Sequence, residues 1–267
     1  MISSKSVIAV ASLLVLSACA STTPVESDPE PGHAILWAAH AAEYQAISLQ
    51  VYAQATRDLP RFIADTSWSA LPGHEGLSDK PPAIILDVDE TVTSGVDMEL
   101  TMVPFTGLRQ HQWGLTHKAI PVRGVSEFVA AAQKLGVEVF FVTNRPCEIV
   151  DGNADTCPQK QATVEHISEV GIETDMDHVL LAKERPGWDR EKLTRREHIA
   201  KSHRVIMLLG DDYGDFVACS RASPRTPCTV PATRASRADD LDTYKDYWGN
   251  GWYILPNPMY GSWTSVK

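Results

Sequence analysis

Residues 83–92 read Ala83-Ile84-Ile85-Leu86-Asp87-Val88-Asp89-Glu90-Thr91-Val92, four apolar residues running straight into alternating carboxylates. An all-apolar run of this length predicts a strand buried on both faces, and such strands belong to parallel sheets covered by helices. Three further runs resemble it: 137–142 (VEVFFV), 178–181 (HVLL) and 205–209 (VIMLL). Helical patterns lie between them, over 125–135 closed by Gly136, over 159–170 before Gly171, and near 191–201. Short strands alternating with helices predict an α/β fold with right-handed crossovers. Upstream, Trp37, Ala41, Tyr44, Ile47, Val51 and Ala55 recur at three- and four-residue steps. That spacing predicts an amphipathic helix over 37–59, stopped by Pro60 and followed by a connector to Pro82.

Open α/β sheets bind ligands at the carboxyl ends of their strands, so the residues just after each run are the candidate site. The first run ends in Asp87, Asp89 and Thr91, the second in Thr143-Asn144-Arg145, and the fourth in Gly210-Asp211-Asp212-Tyr213-Gly214-Asp215. So many carboxylates on one sheet edge repel unless a cation or protons relieve them. Hard oxygen ligands without nearby His or Cys suit Mg²⁺. Beside such an ion, a carboxylate can attack phosphorus, and a second one two residues on can protonate the leaving oxygen and then activate water. Alternation along the chain would bring Asp87 and Asp89 to the site and turn Val88 away. A calcium-binding loop would need Gly where Val92 stands and Glu where Met98 stands.

The motifs ILDVDETV (85–92), FVTNR (141–145) and GDDYGDF (210–216) resemble the first, second and fourth motifs of the haloacid dehalogenase (HAD) superfamily of phosphotransferases. Within it the chain resembles the class C bacterial acid phosphatases, supported by the early Trp37, Glu43 and Tyr44, by the C-terminal LPNPMYGSW (255–263) and by a lipobox described below. The resemblance covers residues 37–263. It implies a Rossmann-like parallel sheet flanked by helices, with a small helical accessory region from both termini. It further implies an Mg²⁺-dependent phosphomonoesterase in which Asp87 is the nucleophile and Asp89 the general acid/base, with Thr143 and Asn144 holding the phosphoryl group. The metal would be bound by Asp87, the Asp89 carbonyl and Asp211, with Asp215 ligating or steering metal waters. The third motif supplies a lysine: Lys183 follows its strand closely, whereas Lys192-Leu193-Thr194-Arg195 has the family's K-x-x-R spacing, which favours Lys192.

The chain has 267 residues, 43% hydrophobic and 22% charged, enough for a globular domain with decorations. Its formal charge of −10 argues against gripping a nucleic-acid polymer, so an anionic substrate must be held by local charge. At the N-terminus Lys5 precedes an apolar run over 7–16 and then Ser17, Ala18 and Cys19. About ten apolar residues are too few to span a bilayer, where about 20 are needed, and read as an export signal over 1–18. Leu16-Ser17-Ala18-Cys19 looks like a bacterial lipobox, making Cys19 the lipidated residue of a tether over 19–32. The remaining 33–267 is the phosphatase domain, with an N-terminal helical region over 33–80 and the catalytic core and C-terminal extension over 81–267. The protein is thus expected at the cell envelope, lipid-anchored in the outer membrane. In that oxidising setting Cys147, Cys157, Cys219 and Cys228 allow three disulfide connectivities, and the short-loop pairing 147–157 with 219–228 is favoured because each pair brackets a polar loop. A zinc site would need closer ligand spacing.

Trp113, Tyr260 and Trp263 are candidate stacking partners for a nucleobase, since similar phosphatases act on nucleoside monophosphates. His111 and His117 are weaker candidates for phosphate contact. Two competing functions remain at this level: a non-catalytic surface lipoprotein that kept the fold, and a phosphotransferase to alcohol acceptors.

Overall fold

A computed structural model of the protein describes residues 31–74 and 79–267. The expected export signal and Cys19 lie outside these residues. In chain order the regular elements are α1 (His33–His40), α2 (Ala42–Ala64), β1 (Pro82–Leu86), β2 (Thr93–Ser94), α3 (Val96–Glu99), α4 (Gly107–Gly114) and β3 (Ile120–Pro121). They continue with α5 (Val125–Lys134), β4 (Glu138–Pro146), α6 (Pro158–Glu169), β5 (Val179–Ala182), α7 (Leu193–Ala200), β6 (Arg204–Gly210), α8 (Arg234–Thr243) and β7 (Trp252–Ile254).

Five strands form one parallel sheet in the order β5-β4-β1-β6-β7. Chain order therefore reverses at β1, which pairs with β4 on one side and β6 on the other, and the crevice above that switch point is where such sheets bind ligands. The period-2 alternation of a strand sorts the core into two layers. Ile84 and Leu86 pack with Tyr52, Leu59, Phe128 and Phe141 on one face. Ala83 and Ile85 pack with Phe140, Ile199, Leu208 and Trp252 on the other. Every residue of β6 is buried, as its unbroken apolar run requires.

Three local expectations change. The helix read over 37–59 is two helices, broken at Ala41, whose backbone is extended. Pro60 does not stop α2, which runs to Ala64. Leu59 and Phe62 are both buried on its inner face, and the buried Arg204 donates to the Phe62 and Ile63 carbonyls, supplying partners for the last turn. Finally, β4 does not end before Thr143: it continues to Pro146, with a bulge between Thr143 and Pro146 in its pairing with β5. The bulge re-aims Asn144 and Arg145 toward the cleft. Both disulfides form with the expected short-loop pairing, Cys147–Cys157 and Cys219–Cys228.

Candidate active site

At the end of β1 the Asp87 amide still pairs with the Leu209 carbonyl of β6, at 3.0 Å, and then the chain leaves the sheet in a tight turn. The Val92 and Thr93 amides donate back to the Val88 carbonyl at 2.8 and 2.9 Å. Val88 is fully buried in the core while Asp87 and Asp89 line a cleft of about 440 Å³, the division expected from alternation. Glu90 adopts a left-handed backbone, φ 59°, a conformation costing on the order of 1 kcal/mol for a non-glycine residue. Its buried carboxylate holds it there, accepting from the Gly95 amide at 2.6 Å, from the Tyr260 hydroxyl at 3.2 Å and from the Tyr44 hydroxyl at 3.4 Å. Burial pushes Glu90 up to about 8. Both chain termini thus reach the first motif through this one side chain.

Lys192, whose side chain is almost wholly buried, places its ammonium between the carboxylates of Asp87 and Asp215, 2.6 Å from the latter. Lys183 instead pairs with Glu148 at the surface, 2.5 Å away. The structure therefore brings Lys192, and not Lys183, to the first motif. Burial raises Asp87 to about 6, with Lys192 opposing that rise. Burial disfavours the charge on Lys192 too, but Asp215 and Asp87 outweigh it and keep the amine protonated.

One carboxylate oxygen each from Asp87, Asp211 and Asp215 can lie within 4.8 Å of one another. Burial, then the neighbouring charges of Asp87 and Asp215, push Asp211 well above the usual carboxylate range. Such frustration is what a divalent cation relieves, and an all-oxygen donor set of this kind fits a hard ion. Asp211 is oriented by Asn257, which donates to it at 2.8 Å, and by Thr91 at 3.3 Å. Asp215 accepts from the Asp211 and Asp212 amides at 3.1 and 3.0 Å, tying the fourth motif into one turn.

Asp89 turns away from this cluster toward Arg145, whose guanidinium donates to it at 2.8 to 3.2 Å. Burial works against the Asp89 charge, yet Arg145 prevails and holds the carboxyl below its usual range. Arg145 is itself braced by Thr163 at 3.3 Å and His166 at 3.1 Å. Sequence reading placed Arg145 at the strand end but assigned it no role; its position one residue past Asn144 was the available signal. Thr143 is fully buried, its hydroxyl accepting the Arg145 amide at 3.1 Å, and Asn144 is the one of the pair that lines the cleft. The Asn144 oxygen accepts from Arg195 at 2.8 Å, so its amide hydrogens remain available to a ligand.

The aromatic candidates separate. Tyr260 lines the cleft. Trp113 does not: it stacks on His117 with ring centroids 3.5 Å apart. Trp263 is half-exposed and also outside the cleft lining. The cleft aromatic that sequence reading missed is Phe105, 53% exposed in a segment without periodicity.

A family model described as HAD superfamily, subfamily IIIB (acid phosphatase) matches residues 3–263. Among solved structures, the class C acid phosphatase from Bacillus anthracis is similar at 24% identity and a TM-score of 0.66, over 86% of this chain and 84% of that one. Its form with tungstate bound gives a TM-score of 0.68 over the same shares. At this identity the likeness concerns the fold.

Proposed function

Since the chain belongs to the acid phosphatases of HAD subfamily IIIB and is thus a phosphomonoesterase, we propose that it hydrolyses its substrates through an aspartyl-phosphate on Asp87, with Mg²⁺ as cofactor. The observation that carries this is the Lys192 ammonium between Asp87 and Asp215 at the cleft floor, beside Asp211. Lys192 offsets the charge of the nucleophile and of the incoming phosphoryl group, so two anions can meet. Asp87 forms a bond to phosphorus as the bond from phosphorus to the ester oxygen breaks, and Asp89 passes a proton to that oxygen. Asp89 is held ionised by Arg145, and a phosphomonoester monoanion, the form prevailing below about pH 6, can bring the proton with it. In the second half Asp89 takes a proton from the water that attacks the acylphosphate, releasing phosphate and restoring Asp87. Asn144, and Thr143 through its hydroxyl, hold the phosphoryl oxygens. Asp87, Asp211 and Asp215 would hold the Mg²⁺, with the Asp89 carbonyl, and the ion would neutralise charge on the transferring phosphoryl group.

Nucleoside 5′-monophosphates suit the cleft, because Phe105 and Tyr260 offer faces to a base and stacking on an aromatic is worth about 1–3 kcal/mol. The Leu16-Ser17-Ala18-Cys19 sequence supports export and lipid anchoring at the outer membrane. The test is phosphate release from an aryl phosphate and a nucleoside monophosphate, with Mg²⁺ or chelator, by the wild type and Asp87→Asn. Metal-dependent turnover abolished by the substitution is expected; turnover that survives it would overturn the covalent mechanism.

A further inference from the structure

The charges lining the cleft do not all pair with each other. Lys192 serves Asp87 and Asp215, Arg145 serves Asp89, and Arg221 lies 3.5 Å from Asp212. Two more arginines line the same cleft, Arg190 from the loop between β5 and α7 and Arg225 from the loop closed by the Cys219–Cys228 disulfide. Neither side chain has a hydrogen bond or ion pair with any described residue, and both are exposed. Arg221 is only half satisfied, because its buried Nε finds no acceptor among the described residues. Ser223, two residues before Arg225, adds a hydroxyl to the same wall.

In a chain with a surplus of acids, two unpaired guanidiniums from separate segments facing one cleft form a site for an anion. The reacting phosphoryl group already has its own cation in Lys192 and its own metal-binding carboxylates. The cleft, at about 440 Å³, lies within the usual range of small-molecule sites and exceeds what one phosphate needs. Guanidinium forks match phosphate oxygens in a bidentate manner. We infer that Arg190 and Arg225 form a subsite for a second phosphate, so that the preferred substrates are phosphomonoesters carrying another phosphate group. This rests on the catalytic reading above and adds a substrate class to it.

The experiment compares a nucleoside 5′-monophosphate with the 3′,5′-bisphosphate of the same nucleoside, measuring KM and kcat separately, with an aryl phosphate as reference. The wild type is expected to show a KM for the bisphosphate about tenfold lower, the order expected of a charge-assisted contact. In Arg190→Gln/Arg225→Gln that KM ratio should collapse toward unity through the bisphosphate arm, and Arg190→Lys/Arg225→Lys should restore part of it. A wild type that cleaves the aryl phosphate but shows no KM preference between the nucleotides overturns the subsite and leaves the catalytic reading standing. So does an unchanged ratio in the Gln variant. A wild type that releases no phosphate from any of the three overturns both.

Discussion

Arg195 is the residue whose replacement tests the packing behind the site most directly. It is fully buried, and its guanidinium donates to the Thr143 carbonyl, to the Asn144 side chain at 2.8 Å, to the Asp189 carbonyl at 3.0 Å and to the Leu180 carbonyl at 3.4 Å. It therefore ties the ends of β4 and β5 and the approach to α7 together behind the phosphoryl-binding residues. Burial pushes it down to about 10, which still leaves it cationic at neutral pH. Arg195→Met keeps much of the buried stem and removes every donor. Stranding acceptors in the interior costs about 1–3 kcal/mol each, and breaking a buried charged contact about 3–5 kcal/mol in all, so we expect a loss of about 4 kcal/mol. For a domain of this size each kcal/mol lowers Tm by about 2–4 °C, giving a fall of roughly 10 °C. Urea unfolding and thermal melts would read this, alongside kcat for an aryl phosphate, which should fall as Asn144 loses its brace. Arg195→Lys retains charge but not the fork and should recover less than half of the stability. A loss under about 1 kcal/mol, or kcat unchanged in Arg195→Met, would refute the bracing role.

Lys192→Met should lower kcat/KM for an aryl phosphate by about 100-fold or more, the cost of one preorganised charge at a reacting oxyanion, whereas Lys183→Met should stay within about twofold. Equal losses in the two would mean that the buried ammonium has no special place in turnover. Asn257→Ala removes the donor that orients Asp211 and should weaken Mg²⁺ binding about 10–100-fold, read by calorimetric titration; unchanged affinity would exclude Asp211 as an oriented ligand. At the opposite edge of the sheet His178 sits 2.7 Å from Asp175 and 3.4 Å from Glu138, which His203 also approaches at 3.0 Å, while Phe140 packs on both rings. Partial burial lowers the His178 value, but the two carboxylates outweigh it and raise it above 6.5. Its contribution to stability is thus complete below 6.5 and lost as pH rises through the higher folded value. Urea midpoints should fall over that window in the wild type, and less steeply in His178→Gln; identical slopes would remove the assignment.

Much of the sheet is legible in residue type alone. The four apolar runs become β1, β4, β5 and β6 with ends shifted by a few residues, because a strand buried on both faces leaves no polar position to blur the pattern. The fifth strand escaped because Trp252–Ile254 is only three residues long, too short for periodicity to register, and its place beside β6 comes from pairing that spans the whole core. Pro60 misled for a related reason. Its local cost to a helix is real, but burial of Leu59 and Phe62 and the carbonyl contacts of Arg204, over 140 residues away, override it. The aromatics divided on the same ground: Trp113 and Phe105 look alike as candidates, and only the path of the chain around α4 sends one to His117 and the other to the cleft.

The order of the motifs, the carboxylates at successive strand ends and the family follow from the chain by itself, since each rests on residues close in sequence whose spacing is set by strand and loop geometry. Which lysine meets the nucleophile, which arginine holds Asp89 and which arginines stay unpaired were decided only in three dimensions. Lys192 lies 105 residues from Asp87, and Arg145 lies 56 from Asp89. Contacts at such separations depend on how the crossovers stack the strands, and local propensity carries no information about that.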